Sequence, residues 1–578
     1  MHSTVLPPDF TFRIFDKRFQ RLQKRFVCTI VVGTLLVLLQ SFHVSAAPPT
    51  MDFLYPAGGQ QGTTVSVKLS GQTNAKTQVW CSRSEIKVSL KSHQLTCIIP
   101  KNSVPGVAWI RLYNEEGAST LKPFLIGTLP EVSEKEPNNS LEQAMKLNSA
   151  NVLVNGQLSK SEEVDTFRVS LKKGQTLVAA MAANSVLGSP MDGVLQIVSE
   201  RGFVLEQNDD DQGTDPRIVF TAPKSGTFFI RAFAFPSTPN SSIRLAGAPG
   251  YIYRLTLTTG PFLDYPYPLA AERNAKTPIS LRGWNLPAGF NHIHQKSDSR
   301  SGSIILWSPK LATARTVQQV EAPCFTEEDW RSRFSKQPGS VPVFVTGQLA
   351  QPKESDRFRF RGKPGMRLQI AATSRSLGFP TDPVLRTLDK NGTEFKQVES
   401  RSSTKIDESL TFIIPKSGEF QVEVSDLHRR GGSRFVYLLS LRELKPDFQL
   451  SLSGDSFQLI PGKPLTIPVT VTRLNGFRAT IEISAQGLPP GVTAKPVKSL
   501  AKGATAKTVK LTLSISGKKK FPAGIPFQVV GRSLENRQAR RRFATSPISG
   551  FTAKTADFWL TVRSKSPMSN RQKKPKTQ

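Results

Sequence analysis

A repeated segment constrains the fold of this chain more than any other feature. Residues 165–229 recur in diverged form at residues 356–420. Both copies start with D-x-F-R, continue with L-G-x-P-x-D-x-V-L and end with P-K-S-G. The spacing between matching positions stays at about 190 residues, which indicates one fold unit used twice. Chains built from repeated β modules are more often binding or scaffolding proteins than enzymes.

The chain has 578 residues, which is too long for one hydrophobic core and suggests roughly four domains. Short runs of alternating apolar and polar residues lie between glycine, proline, asparagine and serine, and 42 Pro and 40 Gly supply the turns. Runs of this length and period are typical of β-strands. We therefore predict an all-β protein made of tandem β-sandwiches that follow an N-terminal signal segment.

The N-terminal residues have the pattern of an export signal. Arg21, Lys24 and Arg25 precede the apolar run at 26–39, and small residues permit cleavage after Ala46. The apolar run suits a signal peptide and is short for a membrane span. An uncleaved anchor is the alternative, because the segment before the apolar run is long. We expect an exported protein, periplasmic, on the cell surface or extracellular, that contacts membrane only through an uncleaved N-terminal segment.

The strand patterns and turn residues predict a linear series of modules. The predicted segments are a signal peptide or anchor at 1–46, an immunoglobulin-like sandwich at 50–128, the first repeat domain at 131–260, a reduced β-domain or linker at 261–325, the second repeat domain at 343–444, an immunoglobulin-like sandwich at 446–564 and a disordered basic tail at 565–578.

The first repeat carries a family resemblance. EKEPNNS at its start, then VDTF, GVLQIVSERGFVLEQNDDD and DPRIVFTAPKSGTFFIRA, resemble the bacterial pre-peptidase C-terminal (PPC) domain. The resemblance implies a jelly-roll-like β-sandwich of the kind appended to secreted proteases and other exported proteins. The second repeat matches less well, because it lacks the EPNN segment and the acidic run. The whole arrangement resembles multi-domain exported bacterial proteins that carry PPC domains.

The start of the first repeat is the best candidate for a metal site. Hard oxygen ligands are clustered there, and calcium prefers six to eight such oxygens. The related collagen-binding domains of secreted collagenases use a similar Glu-x-Glu-x-Asn-Asp loop, which implies calcium here. The alternative is a turn in which Asn139 and Ser140 cap a short helix, SLEQAMKL. The predicted ligands are Glu134, Glu136, Asn138, Asn139, Glu163 and Asp165.

Two other clusters are weaker candidates for metal sites. The run Asn208–Asp211 is the densest acidic cluster, and we interpret it as a β-turn in preference to part of a cation site. His292 and His294 form an H-x-H pair, but two ligands alone make no zinc site, and the surrounding sequence reads as a polar loop.

The three cysteines after the signal segment leave two interpretations open. Cys81 and Cys97 flank two short strands and would bridge in an oxidising compartment. Free, partly buried thiols are the alternative, with Cys324 left over in either case.

Positive charge is concentrated towards the C-terminus. The net charge is +33, and residues 446–578 hold 23 Lys and Arg against five Asp and Glu. Such a field attracts polyanions, although a solvated basic surface without a ligand is the alternative. The export signal and the lack of interleaved aromatic residues argue against nucleic acid. The residues that we predict to bind polyanions are Lys518, Lys519, Lys520, Arg537, Arg540, Arg541 and Arg542.

The sequence contains no G-x-S-x-G, H-E-x-x-H or phosphate-loop motif. We therefore expect no enzymatic activity. The predicted function is that of an exported, non-catalytic binding or scaffolding protein of the cell envelope, which engages anionic polysaccharide or another envelope polymer through its basic C-terminal region. The alternative is an accessory module that positions a separately encoded secreted hydrolase or its substrate.

Overall fold

Short strands with one apolar face dominate the chain, as the alternating sequence predicts. A computed structural model describes residues 47–236, 238, 244–275, 277–290, 293–298, 302–399, 407–515, 521–534 and 540–563. The predicted signal segment at 1–46 and the tail at 565–578 lie outside the described residues. The described residues from Pro48 onwards belong to one compact unit, and every contact below lies within it. Among the described residues, the structure contains no helix long and apolar enough to cross a membrane.

The first sandwich packs two sheets around one apolar core. One sheet has the strand order β1-β3-β6-β5 and the other β2-β9-β7-β4, with β8 beside β7. The Cys81 and Cys97 thiols are buried in this core and both are free. The strands are β1 Leu54–Tyr55, β2 Gly58–Gln60, β3 Thr64–Leu69, β4 Gln78–Cys81, β5 Lys87–Lys91, β6 Gln94–Ile98, β7 Gly106–Asn114, β8 Gly117–Ala118 and β9 Lys122–Gly127.

The first repeat forms two five-stranded sheets, β10-β12-β19-β14-β17 and β11-β13-β18-β15-β16. The helix considered for SLEQAMKL is absent, because Met145 pairs in parallel with Phe167 and extends the second sheet. The elements are β10 Glu131–Ser133, β11 Met145–Lys146, β12 Val152–Gln157, β13 Asp165–Leu171, β14 Thr176–Ala182, α1 Asn184–Leu187, β15 Met191–Ser199, β16 Val204–Asn208, β17 Arg217–Thr221, β18 Gly226–Pro236 and β19 Ile252–Thr258.

The segment between the repeats contains two small sheets. The pair β20-β22 lies beside a four-stranded sheet with the order β21-β25-β24-β23. Its apolar residues divide between a small core of its own and a cluster shared with the second repeat. The strands are β20 Phe262–Tyr267, β21 Ala270–Glu272, β22 Ser280–Trp284, β23 His294–Asp298, β24 Ser303–Trp307 and β25 Arg315–Val320.

The second repeat has the same strand order as the first, β26-β28-β35-β30-β33 and β27-β29-β34-β31-β32. The pairing reaches back to Cys324, before the boundary predicted at 343. The elements are β26 Cys324–Thr326, α2 Glu327–Arg333, β27 Gly339–Ser340, β28 Val343–Gln348, β29 Ser355–Arg361, β30 Arg367–Thr373, a 3-10 turn Arg375–Leu377, β31 Pro383–Leu388, β32 Glu394–Glu399, β33 Glu408–Ile413, β34 Glu419–Asp426 and β35 Val436–Glu443.

Cross-strand register shows that the two repeats are the same unit. Asp165 and Leu195 both pair with Ala232 in the first repeat. At the matching positions of the second repeat, Asp356 and Leu385 both pair with Val424. A shift of one residue would turn every side chain to the opposite face. The matching register therefore places equivalent side chains in equivalent positions of both repeats.

The last sandwich encloses a single apolar core. Its main path of strands is β37-β46-β43-β44-β36-β38-β42-β40. The strands are β36 Asp447–Ser451, β37 Ser456–Leu459, β38 Leu465–Leu474, β39 Ile481–Gln486, β40 Val492–Ala494, β41 Val497–Ser499, β42 Thr508–Ile515, β43 Ile525–Ser533, β44 Arg541–Pro547, β45 Lys554–Thr555 and β46 Phe558–Val562. The predicted all-β class with tandem sandwiches is confirmed.

Candidate cation site and basic surface

A buried group of polar side chains lies at the start of the first repeat. Glu134 follows β10, Asp165 begins β13, and Tyr253 lies on β19, in the sheet that faces β13. The Tyr253 hydroxyl donates to Asp165 Oδ2 at 2.6 Å, and the Gln157 amide donates to Glu134 Oε1 at 2.7 Å. Asp165 is fully buried. Hydrogen bonds from the fold thus hold the half-buried Glu134 carboxyl and the buried Asp165 carboxyl against each other.

The EPNN loop adds oxygen atoms to this pair. Carboxylate oxygens of Glu134, Glu136 and Asp165 lie within 4.8 Å of one another. Asn138 is fully buried. With its amide nitrogen turned towards the carboxylates, it donates to Glu136 Oε1 at 3.1 Å and to Asp165 Oδ1 at 3.2 Å. A bound cation would instead take the amide oxygen as a ligand. Three carboxylates and one amide at this spacing are a set of side chains that fits a hard cation.

Glu163 and Asn139, also predicted as ligands, have other partners. The Glu163 carboxylate accepts hydrogen bonds from the Ser159 hydroxyl and the Lys160 amide, both at 3.0 Å. Asn139 uses its oxygen to accept from the Val164 amide at 3.3 Å. The structure therefore brings together Glu134, Glu136, Asn138 and Asp165, with Asn139 and Glu163 bracing the surrounding turns.

The paired carboxyl groups have strongly raised pKa values. Burial raises the pKa of Glu134, and the charge of Asp165 and the hydrogen bond between the two groups add to the effect. Burial likewise raises the pKa of Asp165, while hydrogen bonds from Glu134 and Tyr253 act in the opposite direction. At neutral pH the pair retains a proton unless a cation takes its place.

The second repeat contains an equivalent carboxyl pair. Glu327 follows β26, and Asp356 lies on β29, where it faces Tyr437 on β35 of the other sheet. The Tyr437 hydroxyl donates to Asp356 Oδ2 at 2.6 Å, the same distance as in the first repeat, and the Gln348 amide donates to Glu327 Oε2 at 3.1 Å. This pair was not predicted from the sequence, because the residues after TEED in the second repeat are Trp-Arg-Ser, whereas Pro-Asn-Asn follows SEKE in the first.

The acidic run Asn208–Asp211 is part of a turn and of an ion-pair ring. Asn208 Oδ1 accepts a hydrogen bond from the Arg217 amide at 2.9 Å. Arg217 binds Asp211 at 2.6 Å and Asp264 at 2.7 Å. Arg434 of the second repeat binds the same two carboxylates at 2.6 Å and 2.8 Å. This charge ring joins the two repeats and the segment between them.

The H-x-H pair remains a minor candidate. His292 lies outside the described residues. The His294 ring is exposed on β23 and packs against the Trp307 ring, with centroids 4.6 Å apart. Among the described residues, the only group of three or more acidic, histidine or cysteine side chains close enough to share a metal is Glu134, Glu136 and Asp165.

The predicted polyanion-binding residues are only partly described. Lys518, Lys519, Lys520 and Arg537 lie outside the described residues. Arg542 pairs with Asp447 at 2.8 Å, and Arg540 lies 4.0 Å from the same carboxylate. These two charges are therefore partly neutralised.

Arg541 lies on the opposite face of β44 from Arg542, because successive side chains alternate between the two faces of a strand. It lies directly opposite Arg532 on β43, and both side chains are exposed. Like charges in this position repel each other. The pair therefore favours an anionic partner, and Arg532 is a residue that the sequence analysis did not select.

Comparison with known proteins supports the interpretation of the first repeat. Residues 163–234 match the family model of the bacterial pre-peptidase C-terminal domain. The chain carries a PPC domain. It is also 29% identical over 125 residues to a probable subtilase-type serine protease of Deinococcus radiodurans. That match covers 22% of this chain, and the chain spans only 16% of the length of the protease.

Two of the matching solved structures have low sequence identity and low TM-scores. A β-glucuronidase of Bifidobacterium dentium matches at 12% identity and a TM-score of 0.20, over 33% of this chain and 39% of the glucuronidase. The four N-terminal immunoglobulin domains of Dscam1 isoform 4.4 match at 13% identity and a TM-score of 0.15, over 87% of this chain and 98% of the other.

Proposed function

We propose that this chain is an exported, non-catalytic binding and scaffolding protein of the cell envelope that holds anionic polymers on its last sandwich. The observation that carries the proposal is the exposed arginine pair Arg532 and Arg541, directly opposite each other on neighbouring strands. Sulfated or uronic polysaccharides and surface phosphate polymers present regularly spaced anions, and arginine grips such groups with two hydrogen bonds.

Contacts between the sandwiches support a scaffolding role. Arg111 of the first sandwich is 1% exposed, forms an ion pair with Asp455 of the last, and lies over the Trp559 ring at 5.9 Å. The Trp559 ring also packs against Tyr113, with centroids 4.6 Å apart. A buried ion pair and a cluster of aromatic rings hold the first and last modules together.

We further propose that the first repeat binds calcium through Glu134, Glu136, Asn138 and Asp165. Three carboxylates and an amide oxygen suit calcium, with water completing its coordination. The ion would bind the EPNN loop to strand β13 and replace the proton held by the buried carboxyl pair. Its role would be structural, because the loop and the strand each contribute ligands.

The test of polymer binding is a glycan and polyanion array probed with the full chain at two ionic strengths. We expect binding to sulfated or uronic polymers that weakens with salt, because exposed charge contacts are screened. Arg532→Gln with Arg541→Gln should reduce it. Arg361→Gln with Lys363→Gln removes the same charge from an exposed part of the second repeat and should bind normally. Equal binding by both double variants would refute the proposal.

The second candidate function is that of an accessory module for a secreted hydrolase. The match to part of a probable subtilase-type serine protease favours it. Immobilised full chain would then retain a hydrolase from culture fluid of the source cells, and competing polyanion would not release it. Retention that polyanion abolishes would instead support polymer binding.

A further inference from the structure

The two repeats contain the same carboxyl pair but place different groups around it. In each repeat a tyrosine hydroxyl donates to the aspartate at 2.6 Å. In each, the glutamate accepts a backbone amide from the last residue of the neighbouring strand, β12 or β28. A glycine packs against each tyrosine. A Cβ added to Gly156 would lie 2.0 Å from Tyr253, and a Cβ added to Gly347 would lie 2.2 Å from Tyr437. The two sites therefore match in hydrogen bonds and in packing.

The segment that follows the glutamate differs between the repeats. In the first repeat, the EPNN loop directs Glu136 and Asn138 towards Asp165. In the second, the chain enters helix α2, which Thr326 caps by accepting from the Asp329 amide at 3.1 Å. The helix places Arg331 one turn after Glu327, on the same side.

Arg331 contacts both acidic groups of the second site. Its Nη2 atom lies 2.6 Å from Asp356 Oδ1 and 2.5 Å from Glu327 Oε1. The head of the side chain reaches the pair from the surface, since the Arg331 side chain is 54% exposed. In the described part of the first repeat, no lysine or arginine forms an ion pair with Glu134, Glu136 or Asp165.

We infer that Arg331 is the built-in cation of the second repeat and takes the place that a metal ion takes in the first. This inference rests on the proposed calcium site. The second repeat is therefore independent of calcium, and the calcium requirement of the chain is confined to the first. The pair Glu327 and Asp356 is a latent metal site that Arg331 blocks.

The test is the variant Arg331→Glu in the full chain, which replaces the built-in cation by a third carboxylate, as in the first repeat. We expect one bound calcium per wild-type chain and two per variant chain by equilibrium dialysis. The variant should also melt below wild type without calcium and recover when calcium is added. Arg333→Glu, on the same helix but without an acidic partner among the described residues, should bind one ion and gain no extra calcium response.

A second variant, which lacks the calcium site of the first repeat, separates this inference from the calcium proposal. Asp165→Asn should remove the first site, so that Asp165→Asn with Arg331→Glu binds one ion. If wild type binds none and Arg331→Glu binds one, the first site is refuted and the latent site stands. If Arg331→Glu binds no more than wild type, or stays unfolded in excess calcium while Arg331→Lys folds, the inference is refuted.

Discussion

Glu134 and Asp165 share a hydrogen bond where water is largely excluded, and this controls how the first repeat responds to pH. The folded pair binds protons more tightly than the unfolded chain does, because burial raises both pKa values. Stability contributed by such groups is greatest at low pH and is lost as the pH rises towards the folded pKa values.

We therefore expect metal-free protein to lose stability as the pH rises above the ordinary carboxyl range of about 4. Added calcium should remove this loss, because the metal replaces the proton that the pair gives up. Melting temperatures between about pH 5 and about pH 9, with and without calcium, measure the effect. Glu134→Gln, which cannot ionise, should flatten the metal-free profile. Identical profiles with and without calcium would contradict the prediction.

Gly156 tests how tightly the tyrosine is held. A Cβ at this position would lie 2.0 Å from the Tyr253 ring, so Gly156→Ala must displace the ring and its hydrogen bond to Asp165. We expect a loss of about 1–3 kcal/mol, as for other overpacked core positions. Hydrogen exchange of the β12 and β19 amides measures it. A Cβ added to Gly226 would have no atom within 4 Å, so Gly226→Ala should change hydrogen exchange little.

Sequence reasoning located the acidic cluster but only part of its geometry. The pattern E-x-E-x-N-N identified Glu134, Glu136 and Asn138, because these ligands are close in the sequence. Tyr253 comes from a strand about 90 residues after Asp165, and only the packing of the two sheets against each other brings the two side chains together. Arg331 was missed because its role becomes clear only when helix α2 of the second repeat is seen to follow the same glutamate position as the EPNN loop of the first. The sequences of the two segments do not show this correspondence.

At the scale of elements, the charge ring determines how neighbouring modules meet. Arg217 and Asp264 have side chains 5% and 3% exposed, so removing the Asp264 charge leaves Arg217 and Arg434 sharing the single carboxylate of Asp211 in a largely buried site. Asp264→Asn should destabilise the junction by about 3–5 kcal/mol, which thermal unfolding of the full chain measures. Asp209→Asn, in the exposed part of the same acidic run, is the matched control. A melting curve unchanged by Asp264→Asn would contradict this account.

Strand patterns were easier to predict than their partners. The alternating period of runs such as Val469, Val471 and their neighbours follows from one face being buried, so the strands and the all-β class could be predicted from the sequence. The charge ring could not be predicted from the sequence, because Asp264 and Arg434 are about 170 residues apart. In sequence, each is an ordinary charged residue near a strand end.

At the scale of the whole molecule, Trp559 is a central aromatic side chain among the contacts between the first and last sandwiches. Trp559 packs against Trp80 and Tyr113 of the first sandwich, with ring centroids 5.7 Å and 4.6 Å apart. Trp559→Ala should therefore raise hydrogen exchange in β4 and β7 and lower the melting temperature. Phe543→Ala removes a 39% exposed ring from the last sandwich and should leave β4 and β7 unaffected. Unchanged exchange in Trp559→Ala would show that the contact contributes little.

The most direct measurement of the central claim is a crystal structure of the full chain grown in calcium, with anomalous diffraction recorded. We predict one calcium peak, among Glu134, Glu136, Asn138 and Asp165, and the Arg331 guanidinium between Glu327 and Asp356. No peak at the first site, or a calcium ion in place of the guanidinium at the second, would contradict it.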